Sequence, residues 1–392
     1  MIALPAAMTR PALPSRSSAA RRVRRAALSA ALSVVLAAGL ALAGCATAAP
    51  APHAPVSPVA DRTPLSELTA LADPKAYEGP STAVLADAAI APVAIDPAQD
   101  LPVTVTSRDL DGDVEVTITD ASRIVAMDLS GSLAATVWGL GFGDRLVGRD
   151  ISTTFPGVED LPVITSSGHS VNAEAIIALK PTLVLTDGSI GPLDVVQQLR
   201  DVGITVVFVE DTASFDGAVA MARAVGEILG APAVGELLAE RLQRELDATR
   251  AAIAAIAPED DADRLRIVFL YLRGSAGVYY LFGEESGADD LIEGLAAIDV
   301  AGELGWSGMQ PLTDEAMVAA NPDLILVMSS GLASVGGVDR LVADKPAIAL
   351  TTAGQHRRFV DMADGQILSF GPRAADVLDA LARAVYAPET SS

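Results

Sequence analysis

The chain has 392 residues, room for one large bilobed unit or two modest domains. Only 4% of it is aromatic while 51% is hydrophobic, so its cores are built from Ala, Leu, Val and Ile. A formal net charge of −23 excludes a duplex nucleic acid as partner, because such a partner needs a basic face.

The first 44 residues contain no Asp or Glu but carry Arg10, Arg16, Arg21, Arg22, Arg24 and Arg25. An uncharged run from Ala26 to Ala43 follows the arginines and ends in Leu42-Ala43-Gly44-Cys45. A basic region, an apolar run and small residues mark a removable export segment. The run is also nearly long enough to span a bilayer, so a simple membrane anchor is the competing reading. The last four residues resemble the bacterial lipobox, which implies a signal peptide over 1–44 and a lipid on Cys45. Cys45 is the only cysteine of the sequence, which rules out a disulfide framework and a CxxCH haem-attachment site.

Residues 45–63 are rich in Ala and Pro and read as an extended tether that contains His53. Residues 64–119 form an N-terminal extension. Within it Val103, Val105, Val114, Val116 and Ile118 alternate with polar residues around Asp111-Gly112, which predicts a hairpin. From about 120 the pattern changes. Apolar runs at Arg123–Met127, Thr182–Thr186 and Thr205–Val209 predict strands, and helical patterns lie between them at Ser130–Leu140, Asn172–Leu179 and Pro192–Asp201. This alternation predicts a parallel α/β lobe over 120–230. Val234, Leu238, Leu242 and Leu246 recur every four residues, with polar residues on the other positions, and predict a long amphipathic helix over Ala231–Ala257. Pro258 ends it, so the interlobe segment is 231–258. A second α/β lobe over 259–392 follows, with strands expected at Arg266–Leu272, Asp323–Met328 and Arg358–Asp361. Its helices are expected at Gly287–Gly294, Thr313–Ala320, Gly337–Val342 and Arg373–Tyr386. The expected fold is α/β, two lobes flanking one long helix.

Ligands of open α/β sheets bind beyond the carboxyl ends of the strands. That rule selects His169, in the loop before the Asn172 helix, and Tyr271 and Arg273, at the end of the Arg266 strand. His169 stands between Gly168 and Ser170, and a lone loop histidine is by default a solvated one. Tyr271 alone would read as a half-buried core residue. Arg273 lies two positions on and shares its face of the strand, so that face is not simply core. Tyr279 and Tyr280 either line the cleft or pack structurally, and Met309 and Met328 are either core residues or soft contacts for an apolar ligand.

Asn172-Ala173-Glu174-Ala175-Ile176-Ile177-Ala178-Leu179-Lys180-Pro181, followed by a strand, is matched in the second lobe by Leu312-Thr313-Asp314-Glu315 through Asn321-Pro322-Asp323. This layout, over residues 64–387, resembles the binding proteins of cobalamin, siderophore and haem importers, which implies an α/β fold of two lobes joined by one long rigid helix, with the ligand in the cleft between them. Gly148-Arg149-Asp150-Ile151-Ser152-Thr153, Gly168-His169-Ser170, Tyr271-Leu272-Arg273-Gly274 and Gly331 through Gly337 are most similar to the haemin-binding lipoproteins (HmuT type) of actinobacterial haem ABC importers.

The resemblance implies an exported, lipid-anchored monomer on the outer face of the cytoplasmic membrane. It would capture haem b as cargo and deliver it to an ABC permease and its ATPase. His169 and Tyr271 become axial ligands of the haem iron, both residue types being known haem ligands. Arg273 becomes the group that hydrogen-bonds the phenol oxygen and supports the tyrosinate. Glu174 and Glu315 become one docking contact per lobe for permease arginines, although an acid in a first helical turn is also favoured by the helix dipole. Arg149, Ser152, Thr153 and Arg357 are candidates for the propionates.

A ferric siderophore or cobalamin carrier shares this layout and is the alternative. A zinc or manganese carrier needs several converging His and carboxylate ligands, and only His169 is well placed. An enzyme is not expected: no GxSxG, HExxH or Walker A motif occurs, and no GxGxxG between a strand and a helix.

Overall fold

The computed structural model describes residues 62–388 apart from 110, 275 and 276. The expected export segment, Cys45 and His53 lie outside the described residues. Among the described residues, the first strands are a two-residue β1 (Ser81–Thr82) and a hairpin of β2 (Val103–Ser107) and β3 (Val114–Ile118). Next come β4 (Ile124–Met127), α1 (Ser132–Val137), β5 (Leu146–Arg149), α2 (Ala173–Leu179), β6 (Leu183–Thr186), α3 (Leu193–Asp201) and β7 (Thr205–Phe208). These four strands form a parallel sheet in the order β5-β4-β6-β7. The central strands β4 and β6 are buried along their whole length because both faces of the sheet are covered there.

Two antiparallel neighbours, α4 (Phe215–Ile228) and α5 (Pro232–Ala254), then carry the chain from the first lobe to the second. At 1.5 Å per residue, the 23 residues of α5 span about 35 Å. Pro232 starts the helix, where its missing N–H costs nothing, and the helix ends three residues before the expected point. The two helices cross at a glycine pair. A Cβ on Gly226 would stand 2.6 Å from the Gly235 Cα, so only glycine permits this approach.

The second lobe contains β8 (Arg266–Arg273), β9 (Val278–Phe282), α6 (Ala288–Gly294), β10 (Ile298–Asp299), α7 (Val300–Glu303), β11 (Met309–Pro311), α8 (Asp314–Ala320) and β12 (Leu324–Met328). It ends with α9 (Ser329–Ser334), α10 (Gly337–Asp344), α11 (Pro346–Leu350), α12 (Thr352–His356), β13 (Phe359–Met362), α13 (Asp364–Ile367) and α14 (Ala374–Tyr386). Its sheet runs β1-β13-β12-β8-β9-β11, with β10 beside the start of β8. The two α/β lobes expected from the sequence are therefore borne out.

The segment before β4 is shared between the lobes rather than standing apart as an extension. β1 pairs in parallel with β13, and Leu71 donates its N–H to the Tyr386 carbonyl. Further on, Val93 donates to Gly139, Asp100 donates to Gly230, and the hairpin docks on β7 through the Arg108 N–H and the Phe208 carbonyl. One apolar core runs through both lobes and includes Leu238, Leu242, Leu246 and Ile253 of α5. Two smaller cores lie under the outer helices, one per sheet.

Candidate ligand-binding cleft

Two parallel strands of the first lobe end in buried carboxylates. Asp128 follows β4, Asp150 follows β5, and neither is exposed. Burial of an acid costs free energy unless its oxygens are satisfied. Here the loops supply the donors. Asp128 accepts bonds from the N–H of Ser132 at 2.9 Å and from the Ser130 hydroxyl at 2.6 Å. Asp150 accepts from the N–H groups of Ser152 and Thr153, each at 2.8 Å, and from that of Asp128 at 3.1 Å. Burial pushes both carboxyls above the usual range. For Asp128 the charges of Asp150 and Asp187 add to that effect, and for Asp150 the loop hydrogen bonds oppose it. The result is one fixed surface made of the loops after β4 and β5.

His169 stands at the tip of a narrow turn beside this surface. Thr165 bridges Val171, and the Ser166 N–H donates to the Ser170 carbonyl. Gly168 and His169 both have left-handed backbone, at φ +72° and +64°. A histidine there is uncommon and held by its surroundings. Its Nδ1 is enclosed without a hydrogen-bond partner. The turn is joined to the loop after β5 through the Ile151 N–H, which donates to the Thr165 hydroxyl at 3.1 Å.

In the second lobe, Tyr271 belongs to an aromatic stack. Phe269 and Phe282 lie 5.1 Å apart and 19° from parallel, and Tyr271 continues the stack at 5.7 Å and 14°. The Arg273 guanidinium covers the remaining face, 4.5 Å from the ring centroid. It is anchored by Asp364 at 3.1 Å and by the Leu272 carbonyl at 2.8 Å, with the Met328 sulfur at 3.9 Å. The expected contact with the phenol oxygen is thus replaced by one with the ring face, because Asp364 draws the guanidinium inward. Tyr280 stands opposite Tyr271 on β9. Tyr279 alternates to the other face, where Lys345 lies 3.8 Å from its ring centroid. Met309, on the edge strand, pairs with Phe282 and is 59% exposed.

The lobes meet beside Asp364. A Cβ on Gly365 would come within 2.7 Å of the Thr154 hydroxyl and 3.1 Å of the Ser152 carbonyl. A continuous path of contacts therefore runs from the His169 turn through Thr165, the loop 151–154, Gly365 and Asp364 to Arg273 and Tyr271. The propionate candidates are otherwise engaged. Arg149 donates to the Thr153 carbonyl at 3.1 Å, Ser152 to the Leu129 carbonyl at 2.6 Å, and Thr153 is buried on Asp150. Arg357 pairs with Asp339 at 2.8 Å.

Glu174 and Glu315 occupy equivalent places. Each is exposed, second in a seven-residue helix whose cap side chain, Asn172 or Thr313, accepts the third residue's N–H. Each helix closes on a left-handed residue, Lys180 or Asn321, before a proline and a strand.

Sequence reasoning missed a cavity of about 900 Å³ where Asp211–Ser214 face Glu284–Asp290 and Glu293–Glu303. None of His169, Tyr271 and Arg273 lines it. Its lining carboxylates would repel an anionic ligand.

An architecture of two α/β lobes linked by paired helices defines a class, and the chain belongs to the periplasmic binding protein family, whose pattern matches residues 125–364. Among solved structures, the haem-binding protein HmuT is 39% identical, with 80% of this chain and 99% of that one covered, at a TM-score of 0.75. Variants of HmuT with a tyrosine, an arginine or a histidine replaced by alanine match at 38–39% identity. The replaced tyrosine and arginine are two positions apart. The periplasmic haem-binding protein RhuT from Roseiflexus sp. RS-1 is 34% identical over 70% of this chain and all of that one, at a TM-score of 0.62. The uncharacterized ABC transporter substrate-binding lipoprotein YvrC of Bacillus subtilis (strain 168) is 27% identical over 303 residues, which are 76% of this chain and 87% of that one. The binding-protein class expected from the sequence is borne out.

Proposed function

We propose that this chain is an extracytoplasmic haem-binding protein that captures haem b and delivers it to an ABC permease and its ATPase. The observation that carries the reading is the joining of Tyr271, under the Arg273 guanidinium, to the His169 turn of the other lobe through one run of contacts. The two-residue spacing of Tyr271 and Arg273 equals that of the tyrosine and arginine replaced in HmuT, which supports the same reading.

His169 and Tyr271 serve as axial ligands of ferric haem, and Arg273 stabilises the negative charge of the tyrosinate through its ring face. Two protein ligands leave the iron no open position, so the protein carries haem without turning it over. Lipid on Cys45 holds a monomer at the outer face of the cytoplasmic membrane, and Glu174 and Glu315 orient it on the permease. The test is titration of the purified protein with hemin. A new Soret band that saturates supports haem. Its absence, with binding of a ferric siderophore or cobalamin instead, assigns the cleft to the alternative cargo.

A further inference from the structure

Two neighbouring strands of the first lobe finish alike. β4 leads into Asp128 and then Leu129, and β5 leads into Asp150 and then Ile151. Each carboxylate is fully buried, yet the next side chain is uncovered, 54% for Leu129 and 48% for Ile151. The strand residues before them, Ile124, Val125, Met127 and Leu146, are buried.

Both exposed residues are fixed at the backbone. The Leu129 N–H donates to the Ser189 hydroxyl at 2.8 Å, and its carbonyl accepts from the Ser152 hydroxyl at 2.6 Å. Ile151 donates its N–H to Thr165, inside the turn that carries His169. Both therefore adjoin Ser152, Leu129 by this hydrogen bond and Ile151 along the chain, and the Ser152 carbonyl abuts Gly365 beside Asp364, the anchor of Arg273. Rigid apolar groups beside a polar loop give the fold little, because they stay in water. They give a binding energy that is realised only when something flat and apolar covers them.

We propose that Leu129 and Ile151 form an apolar platform against which one face of the tetrapyrrole lies, next to the His169 turn. This rests on the haem reading above and deepens it by assigning contacts that do not involve the iron.

The test uses hemin and metal-free protoporphyrin IX in parallel, because only the first can be ligated by His169 and Tyr271. Leu129→Ser and Ile151→Ser should each weaken binding of both tetrapyrroles about fivefold, and the double variant roughly twentyfold. The Soret position of the hemin complex should stay at its wild-type value, and Leu129→Met and Ile151→Val should bind as the wild type does. Because both side chains face water, the serine variants should keep the wild-type melting temperature. If the double variant binds both tetrapyrroles as tightly as a wild type that shows a Soret band, the platform is wrong and the haem reading stands. If the wild type itself gives no Soret band with hemin, the haem reading falls and takes the platform with it.

Discussion

Arg273 lies over the ring of Tyr271, 4.5 Å from its centroid, and Asp364 holds it there across 3.1 Å. The ring is clamped between this guanidinium and Phe282, so its hydroxyl is aimed before any ligand arrives. Tyr271→Phe keeps the stack and removes only the oxygen. We expect it to abolish the absorption and resonance Raman features of an iron–phenolate bond. Arg273→Ala should keep those features while weakening hemin binding about tenfold, the scale of a desolvated cation–π contact. Identical ferric spectra for wild type and Tyr271→Phe would remove Tyr271 from the iron.

Cys45 closes the uncharged run from Ala26 to Ala43. Two or three acyl chains on it would bind a membrane firmly, where one binds only marginally. Cys45→Ala should leave the precursor unprocessed or release the protein from membranes. A variant that matures and sediments with membranes as the wild type does would end the lipoprotein reading.

Glu174 and Glu315 present one exposed carboxylate per lobe from equivalent helices. Charges so separated can steer and orient a partner more than they add affinity. The double variant Glu174→Arg, Glu315→Arg should lose uptake in cells while binding hemin in solution at wild-type strength. Undiminished uptake would show that neither glutamate docks on the permease.

Asp299 is only 9% exposed and sits on the acidic cavity. Burial, aided by Asp289 and Glu293 and opposed by the N–H groups of Gly302 and Ala301, pushes its carboxyl up to about 6. Between the ordinary carboxylate range near 4 and about 6, the folded protein keeps a proton that the unfolded chain has released. The group therefore favours the fold at low pH, and that contribution is lost as pH rises through about 6. Asp299→Asn keeps a cap for α7 without the charge. Relative to this variant, the wild type should lose up to about 2 kcal/mol of stability between pH 4.5 and 7.5 in urea unfolding. Parallel pH profiles for the two proteins would refute the assignment.

Much of this was legible because buried parallel strands write themselves as short apolar runs, such as Leu183–Thr186. β5 escaped notice because Gly148 and Arg149 interrupt its pattern, although Gly148 is required where a Cβ would strike Leu179. β1 is two polar residues and has no periodicity to read. Tyr271 and Arg273 could be found together because alternate strand residues share a face. The direction in which Arg273 points could not, since it is set by Asp364, 91 residues later. The burial of Asp128 and Asp150 was equally hidden, because an aspartate before a loop ordinarily faces water.

The pairing of Ser81 with Val360 joins residues almost 280 positions apart, near opposite ends of the folded chain. Synthesis makes β1 early and β13 late, so β1 waits unpaired while nearly everything between them is assembled. Until the two meet, the outer edge of the second sheet is bare, and a bare edge is a template for joining other chains. A nascent or clipped chain that lacks either partner carries the same hazard, and folding of the second lobe is closed from both ends at once.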